Sequence, residues 1–409
     1  MTPPLLLPDR STTTPETLAD YRERGGYQGL TRWRAAEDRA TLIDEIEAAG
    51  LRGRGGAAFP TAKKWRLAAA SDAAEKHVVA NGGEHEPGSD KDRHLVAHHP
   101  HAVLEGLLLA GLATGASKGW LYLIEDMTAQ RAAAAAALAE LAAADLLPFP
   151  IELAFGPVTY VAGEETAALN AIEGVPAKPR KKPPFPGEAG LFGKPTTVNN
   201  VETLAHVAWI ARHGAEAFAA IGTAESKGTL LFTLPDSVNH PGVHELAFGA
   251  TWRDLIEGKG GGLRRGTLRA ILPAMSSGFL LAEHLDVAIA YETLRPLGSS
   301  PGCGGVRLVD DATDTVALVL EIAGFFMREQ CGQCPPCRMQ TNQFVHILTA
   351  VQAGKGPGYD AKLRKLADFS RKKGNCSLIE MAAAPVISAL SCFADDFAAA
   401  AGPGTTQDG

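Results

Sequence analysis

No stretch of this 409-residue chain is long and apolar enough to span a bilayer; the best run, Val316–Met327, is short and carries Glu321. Direct membrane insertion is therefore not expected. The first twenty residues hold proline, threonine and acids where a signal peptide needs a basic and then an apolar region. Cationic excess is lacking too. The 39 Lys and Arg stand against 46 Asp and Glu, a net charge of −7, which offers no electrostatic hold to nucleic acid or an anionic lipid surface. Six cysteines are too few for a disulfide framework in a chain of this length. These absences leave a cytoplasmic globular protein of two or three domains, with 45% hydrophobic and 21% charged residues.

What the chain does have is a dense cysteine loop. Cys331, Cys334 and Cys337 form a C-x2-C-x2-C run, and Cys376 supplies a fourth thiol. Iron–sulfur clusters take four thiolates, commonly a tight trio plus one remote ligand. Zinc sites more often show separated pairs or histidines at ligand spacing, and His346 has no such partner. The spacing points to an iron–sulfur cluster, with zinc or plain thiols as the alternatives. Pro335 and Pro336 are expected to hold the loop extended, and Arg328 and Arg338 to offset the charge of a thiolate cluster. Cys303 and Cys392 remain as small buried side chains or loop thiols.

Along the chain, residues 1–24 read as a leader, disordered over the first fifteen. From 25 to 223 apolar strand-like runs at His77–Asn81, Trp120–Ile124 and Ile151–Phe155 alternate with helical stretches at Pro100–Leu112 and Thr128–Asp145. That alternation implies an α/β domain with a largely parallel sheet. From 224 to 295 short β-like pieces surround the helix Thr251–Glu257, a small α+β module of β-grasp size. Helical periodicity dominates 296–401, where the four cysteines fall, and 402–409 is a tail.

Several loops are candidates for ligand contact. Gly53, Arg54, Gly55 and Gly56 precede a helical run, and amides of such a loop can bind phosphate; a tight turn is the alternative. Lys64 could reach the same anion. The strand His77–Asn81 opens into a turn with Glu84 and Glu86, where α/β folds place ligand contacts; solvated acids are the alternative. His94, His98, His99 and His101 read as a polar helix start, although they imitate a metal site. Glu164 and Glu165 begin a helix and suit its dipole even without function. The basic loop Lys178–Pro186 fits an anionic ligand or a proline-rich connector, and Asn199 and Asn200 precede a helix they could simply cap.

Taken in order, these motifs resemble one family, the flavin-bearing, NADH-oxidising subunit of respiratory complex I. The diaphorase subunits of NAD-linked hydrogenases and formate dehydrogenases belong to the same family. The matches are Gly53–Thr61 with Lys64 and Trp65, Glu84-x-Glu86-Pro87-Gly88 with Lys91-Asp92-Arg93, and Pro100-His101 with Glu105-Gly106. Gly163–Ala167, Lys182–Pro186, Thr197–Thr203 and Cys331–Arg338 complete the series. The resemblance spans about Gly25 to Phe397.

The resemblance implies a Rossmann-like α/β domain holding FMN, a ubiquitin-like domain, and a C-terminal helical bundle carrying one 4Fe–4S cluster on Cys331, Cys334, Cys337 and Cys376. Flavin phosphate and ribityl contacts would come from Lys64, Asn81, Tyr160, Gly163, Asn199 and Asn200. NADH would meet Phe59, Glu86, Glu165, Lys182 and Phe185. Gly53, Arg54, Gly55, Gly56 and Ala57 of the first loop, with Glu84 and Glu164, complete the implied cofactor-binding set. The implied activity is that of an FMN-dependent NADH dehydrogenase, a flavoprotein of electron transport. The hydride step needs no side-chain acid or base, so no strictly catalytic residue is implied. The implied partners are a small thioredoxin-like 2Fe–2S subunit and further iron–sulfur subunits, through which any membrane association on the inner face would be made. The chain departs from the family pattern at Gly83, where an aspartate is usual, and at Glu125–Met127. Those departures mark a divergent member and frame an alternative: an electron-transfer or scaffold subunit that keeps the cluster but has a degenerate flavin site. On the first reading, restoring an acid at Gly83 would tighten flavin binding.

Overall fold

The computed structural model describes residues 4–8 and 14–402. The chain divides into two compact units. Met1–His85, Ser89–Thr233 and Gly242–Ala250 make the first; Glu86–Gly88, Leu234–Pro241 and Thr251–Gly409 make the second.

The first unit is built on four strands, β1 (His77–Asn81), β2 (Lys118–Ile124), β3 (Ile151–Gly156) and β4 (Thr196–Asn200), in the order β3-β2-β1-β4. All three pairings are parallel. The near-continuous apolar text of β1 and β2 suits strands covered on both faces. Chain order runs one way from β1 to β3, and β4 then returns to the far side of β1. Ligands of such sheets bind beyond the carboxyl ends of the strands where that order reverses. Here that place lies between β1 and β4, whose last residues, Asn81 and Asn200, are in register.

Among the described residues eleven α-helices accompany the sheet: α1 (Leu18–Glu23), α2 (Gln28–Arg34), α3 (Thr41–Ala48), α4 (Thr61–Ala69), α5 (Lys91–His98), α6 (Pro100–Thr114), α7 (Thr128–Ala143), α8 (Glu165–Ile172), α9 (Pro186–Ala189), α10 (Val201–His213) and α11 (Ala215–Ala219). All of α6 is buried, as its all-round apolar sequence demands. Each leucine it removes from water contributes on the order of 1.5–3 kcal/mol. Gly106 lets α6 cross α10 closely, because a Cβ there would lie 1.9 Å from the Leu204 carbonyl oxygen. A two-stranded sheet of β5 (Thr229–Leu234) and β6 (Gly242–Ala247) adds to this unit, apart from Leu234.

The expected leader has structure where it is described. Leu5 and Leu6 are buried, and the amides of Leu5, Leu6 and Leu7 donate to the Glu245 carboxylate at 2.9 Å. A capping box of Thr17 and Asp20 starts α1, and the Tyr21 hydroxyl donates to buried Glu105 at 2.6 Å. Apolar Leu5 and Leu6, and a tyrosine with a buried acceptor, outweigh the proline and threonine around them. Residues 1–3 and 9–13 of the leader, and 403–409 of the tail, lie outside the described residues.

In the second unit β7 (Leu268–Leu272), β8 (Leu280–Leu281) and β9 (Arg307–Asp310) form an antiparallel sheet in the order β8-β7-β9. The helix expected at Thr251–Glu257 winds as a wider π-type turn over Asp254–Lys259. After the short α12 (Tyr291–Leu294) come α13 (Thr315–Glu329), α14 (Pro335–Gln352), α15 (Tyr359–Ser370), α16 (Leu378–Cys392) and α17 (Ala394–Ala401). Phe326, Phe344, Leu348, Leu363 and Phe397 are fully buried among them. The segment expected as one α+β module is thus shared: its first two strands fall with the parallel sheet and the rest with these helices. Among the described residues no single helix is long and apolar enough to cross a membrane.

Candidate functional site

Three loops and two strand ends of the first unit meet at the reversal point of its sheet. The Asn81 side-chain amide donates to the Gly163 carbonyl at 2.9 Å, and its oxygen accepts the Gly83 amide at 3.1 Å. Asn200 caps α10 by accepting the Glu202 amide at 3.0 Å, and its Nδ2 donates to Asp92 at 2.6 Å. The loop Gly53–Phe59 closes on itself, with the Gly53 amide donating to the Phe59 carbonyl at 2.9 Å. Gly56 has a φ of 102° and Ala58 one of 52°, so the loop turns through left-handed backbone at both. A Cβ at Gly55 would lie 3.3 Å from Asn200 Cβ, and one at Gly163 3.0 Å from the Gly83 carbonyl oxygen. Glycine is therefore what allows the loops to pack against the strand ends. The amino ends of α8 and α10 open here, with the backbone N–H groups and dipole that favour an anion.

The charged side chains form a chain of ion pairs. Lys64 Nζ lies 2.8 Å from Glu165 and donates to the Val198 carbonyl at 3.0 Å. Lys182 Nζ sits 2.9 Å from both Glu164 and Glu165. Burial alone would raise the Glu165 pKa, but Lys64 and Lys182 overcome it and hold the carboxyl at about 2. Glu164 also caps α8, accepting the amides of Thr166 and Ala167 at 2.8 and 3.0 Å. Phe59 and Phe185 are 52% and 49% exposed, large apolar faces left open to solvent in this unit. Tyr160 opens the short turn that ends at Gly163.

Some implied contacts are otherwise engaged. The Arg54 guanidinium is buried and donates to the carbonyls of Thr229, Arg52 and Lys227, and its amide donates to the Thr203 hydroxyl at 2.8 Å, so Arg54 braces the loop on which Ala57 lies. Glu84 is buried, accepting the Ser89 hydroxyl and the amides of Asp92 and Arg93. Burial and neighbouring Asp92, opposed by Lys91, push its carboxyl up to about 7. Asn199 accepts the Trp65 indole N–H at 2.8 Å. Glu86 belongs to the second unit, where it accepts the Met275 amide at 2.6 Å.

Sequence reading missed the supports. Lys91 is buried between Asp92 at 2.6 Å and Glu202 at 2.8 Å, and Asp92 in turn holds Asn200. Tyr122 is fully buried, with its hydroxyl donating to the Ala162 carbonyl at 3.2 Å. Its ring stands 2.8 Å from where a Gly83 Cβ would be, and its hydroxyl 1.7 Å from a Cβ at Gly156. Side chains at either glycine therefore require Tyr122 to move, so an acid at Gly83 carries a packing cost that the sequence alone does not show. The signal lay in the glycines themselves, each at the end of a strand or just past one. The four histidines, read as a polar helix start, fall within α5 and at the beginning of α6. His94 packs 4.7 Å from His98 between ring centroids, and burial holds it neutral.

In the second unit Cys334 caps α14 and Cys337 lies in its first turn, with Cys331 before them and Cys376 just ahead of α16. Pro335 and Pro336 are not an extended loop; they begin α14, where a missing N–H costs nothing. Burial, then the neighbouring Cys376, Cys334 and Cys331, push the Cys337 thiol up to about 12. The four thiols are thus electrostatic neighbours, and no disulfide joins any of the six cysteines. The Asn375 amide donates to Cys334 Sγ at 3.2 Å, and Gln340 on α14 donates to the Ile379 carbonyl on α16 at 2.7 Å. Four thiols in neighbouring segments, three of them felt electrostatically at Cys337, suit an iron–sulfur cluster as a donor set. The glycine-lined cradle with its two asparagines, its lysine and the amino ends of two helices suits a phosphate-bearing flavin.

Comparison with known proteins agrees with both halves. Residues 46–209 match the Nuo51 FMN-binding domain, and residues 317–400 match the NADH-ubiquinone oxidoreductase-F iron–sulfur binding region. The NADH-quinone oxidoreductase F subunit of Escherichia coli is 36% identical over 97% of this chain and 93% of its own length. The HndC subunit of the NADP-reducing hydrogenase of Solidesulfovibrio fructosivorans is 36% identical over 94% of this chain and 81% of its own. Among solved structures, a chain of an NAD+-reducing [NiFe]-hydrogenase in the air-oxidized state superposes with a TM-score of 0.82 at 34% identity, covering 92% of this chain and 67% of that one. With such identity over nearly full length on both sides, the chain belongs to the family of the NADH-quinone oxidoreductase F subunit.

Proposed function

We propose that this chain is the NADH-oxidising flavin subunit of a multi-subunit redox complex, passing electrons through a 4Fe–4S cluster to partner iron–sulfur subunits. The observation that carries the reading is the cradle at the β1–β4 reversal point, occurring in one chain with four neighbouring thiols. When bound, FMN supplies the hydride acceptor that converts two-electron oxidation of NADH into single-electron transfers, and the cluster supplies the one-electron relay.

The chain's own residues bind and orient. Asn81, Asn200, Gly163 and the Gly55–Ala57 stretch hold the flavin's polar parts, with Lys64 on its phosphate side; the Gly53 and Arg54 amides brace the loop on Phe59 and Thr203. The Lys64–Glu165–Lys182–Glu164 chain fixes the two lysines, so a dinucleotide enters a site whose charges are already placed. Phe59 and Phe185 offer aromatic faces to NADH. Cys331, Cys334, Cys337 and Cys376 hold the cluster. A small thioredoxin-like 2Fe–2S protein is the proposed immediate companion, in an assembly that is cytoplasmic or peripheral to the membrane's inner face.

The second reading, a cluster-bearing subunit with a degenerate flavin site, rests on Gly83 and on buried Met127, whose sulfur accepts the Ile124 amide at 3.4 Å. An anaerobic absorbance spectrum of the reconstituted protein, taken before and after NADH, separates the two. A flavin band that bleaches on addition supports the first; iron–sulfur absorbance that NADH leaves unchanged with FMN supplied supports the second.

A further inference from the structure

Glu245 on β6 is a buried carboxylate on which four donors converge. The amides of Leu5, Leu6 and Leu7 each reach it at 2.9 Å, and the Thr229 hydroxyl at 2.6 Å. Successive amides turned to one side make an anion-binding hollow, and hydrogen bonds to a carboxylate are among the stronger ones in proteins. Glu245 thus ties the Leu5–Leu7 segment to the start of β5.

Thr229 carries the connection onward. Its hydroxyl holds Glu245, while its carbonyl accepts Arg54 Nε at 3.0 Å. Arg54 Nη2 donates to the Lys227 carbonyl at 2.6 Å, just before β5, and the guanidinium lies 4.9 Å over the Phe248 ring, just past β6. Arg54 therefore has its head in the β5–β6 ribbon and its backbone in the glycine loop, between Gly53 and Gly55. Two residues along β5, the Leu231 amide donates to Glu202 at 2.9 Å. Glu202 pairs with Lys91, and Lys91 with the Asp92 that holds Asn200. One strand thus reaches both walls of the cradle, the glycine loop through Arg54 and Asn200 through Glu202.

The fit between those walls is close, since a Cβ at Gly55 would lie 3.3 Å from Asn200 Cβ. Binding groups must be held within about 0.5 Å of their productive positions, and buried directional bonds are what fix a loop that finely. We propose that Glu245 and Thr229 are positioning residues for FMN: with the Leu5–Leu7 segment they form a clasp that sets the glycine loop through Arg54, and so sets flavin affinity. The inference deepens the proposed function and rests on its flavin assignment.

The test measures FMN dissociation constants by flavin fluorescence on the full chain with its cluster reconstituted. Glu245→Ala should raise the constant at least about tenfold, and Thr229→Val severalfold, as the loss of buried bonds to a charged group does. Thr229→Ser keeps the hydroxyl and should bind as wild type. A Ser variant as weak as the Val variant overturns the proposal, because packing of the methyl group would then be the cause. In Glu245→Ala/Arg54→Met the losses should not add, since both changes break one line of contact; strictly additive losses overturn it as well. Hydrogen exchange separates a displaced loop from a loosened fold. Amides of Gly53–Phe59 should exchange faster in Glu245→Ala and Thr229→Val, with those of β1 as protected as in wild type. Should Glu245→Ala fail to fold, the Thr229 pair decides. If the wild-type chain binds no FMN, the proposed function fails; loop exchange still reads the clasp, and equal rates in wild type and Thr229→Val overturn it on their own.

Discussion

In the cradle of the first unit, Lys64, Lys182, Glu164, Glu165, Asn81, Asn199 and Asn200 each already hold a protein partner. In the cysteine loop of the second unit, the thiols crowd one another, and Cys337 is driven away from ionisation by burial and by the other three. The two regions therefore stand in different relation to their cofactors. The cradle is organised before anything binds, and a ligand exchanges partners with it at small reorganisation cost. The cysteine loop holds groups that must all lose protons to bind metal, so its stability is tied to the cluster. Preorganisation suits a flavin that is bound non-covalently; metal-coupled folding suits a cluster built in during assembly.

The comparison breaks most visibly at Cys334. Cys334→Ser should abolish the 4Fe–4S signal and all downstream electron transfer, and iron analysis with low-temperature paramagnetic resonance would detect a retained cluster. Next in size is Asn200→Ala. It removes the α10 cap, worth about 1 kcal/mol, and frees Asp92 inside a buried charge network. FMN dissociation followed by flavin fluorescence should weaken by about tenfold or more, since 1.4 kcal/mol is tenfold. A third test lies at Gly83. Because Tyr122 must shift to admit a side chain, Gly83→Asp should destabilise the fold by about 1–3 kcal/mol, as overpacking does. A denaturation midpoint unchanged from wild type would show that the ring yields freely.

The smallest effect is a pH dependence. The Glu165 carboxyl is held at about 2, below its ordinary 4.5. A depressed carboxylate stabilises the fold above its unfolded value and loses that contribution as pH falls through its folded one. Melting temperature should therefore drop between about pH 4.5 and 2, and Glu165→Gln should flatten that part of the curve. Parallel curves for the two proteins would remove the ion-pair chain from the account.

Much of this was legible in the residues. Strand His77–Asn81 and a helix over Pro100–Leu112, which the structure extends to Thr114, announce themselves by apolar runs and a Pro start, and the cysteine spacing points to its own chemistry. β4 did not, because Thr196–Asn200 is polar text whose strand character comes from pairing with β1. Arg54 reads only as part of an amide loop; that its guanidinium binds carbonyls was hidden, since a side chain's direction is set by packing that spacing cannot show. The Lys91 network was equally hidden. A buried lysine reads as a surface one until Glu202, more than a hundred positions on, is folded against it. The leader misled for a related reason: Glu245, which binds Leu5–Leu7, is remote in sequence.

The measurement that bears most directly on the two-region contrast is the FMN dissociation constant of wild type and Cys334→Ser, titrated anaerobically side by side. A preorganised cradle predicts equal constants and NADH-dependent bleaching in both, with the cluster signal lost only in the variant. A tenfold or greater loss of FMN affinity on removing the cluster ligand would contradict it, making the flavin site a product of cluster assembly.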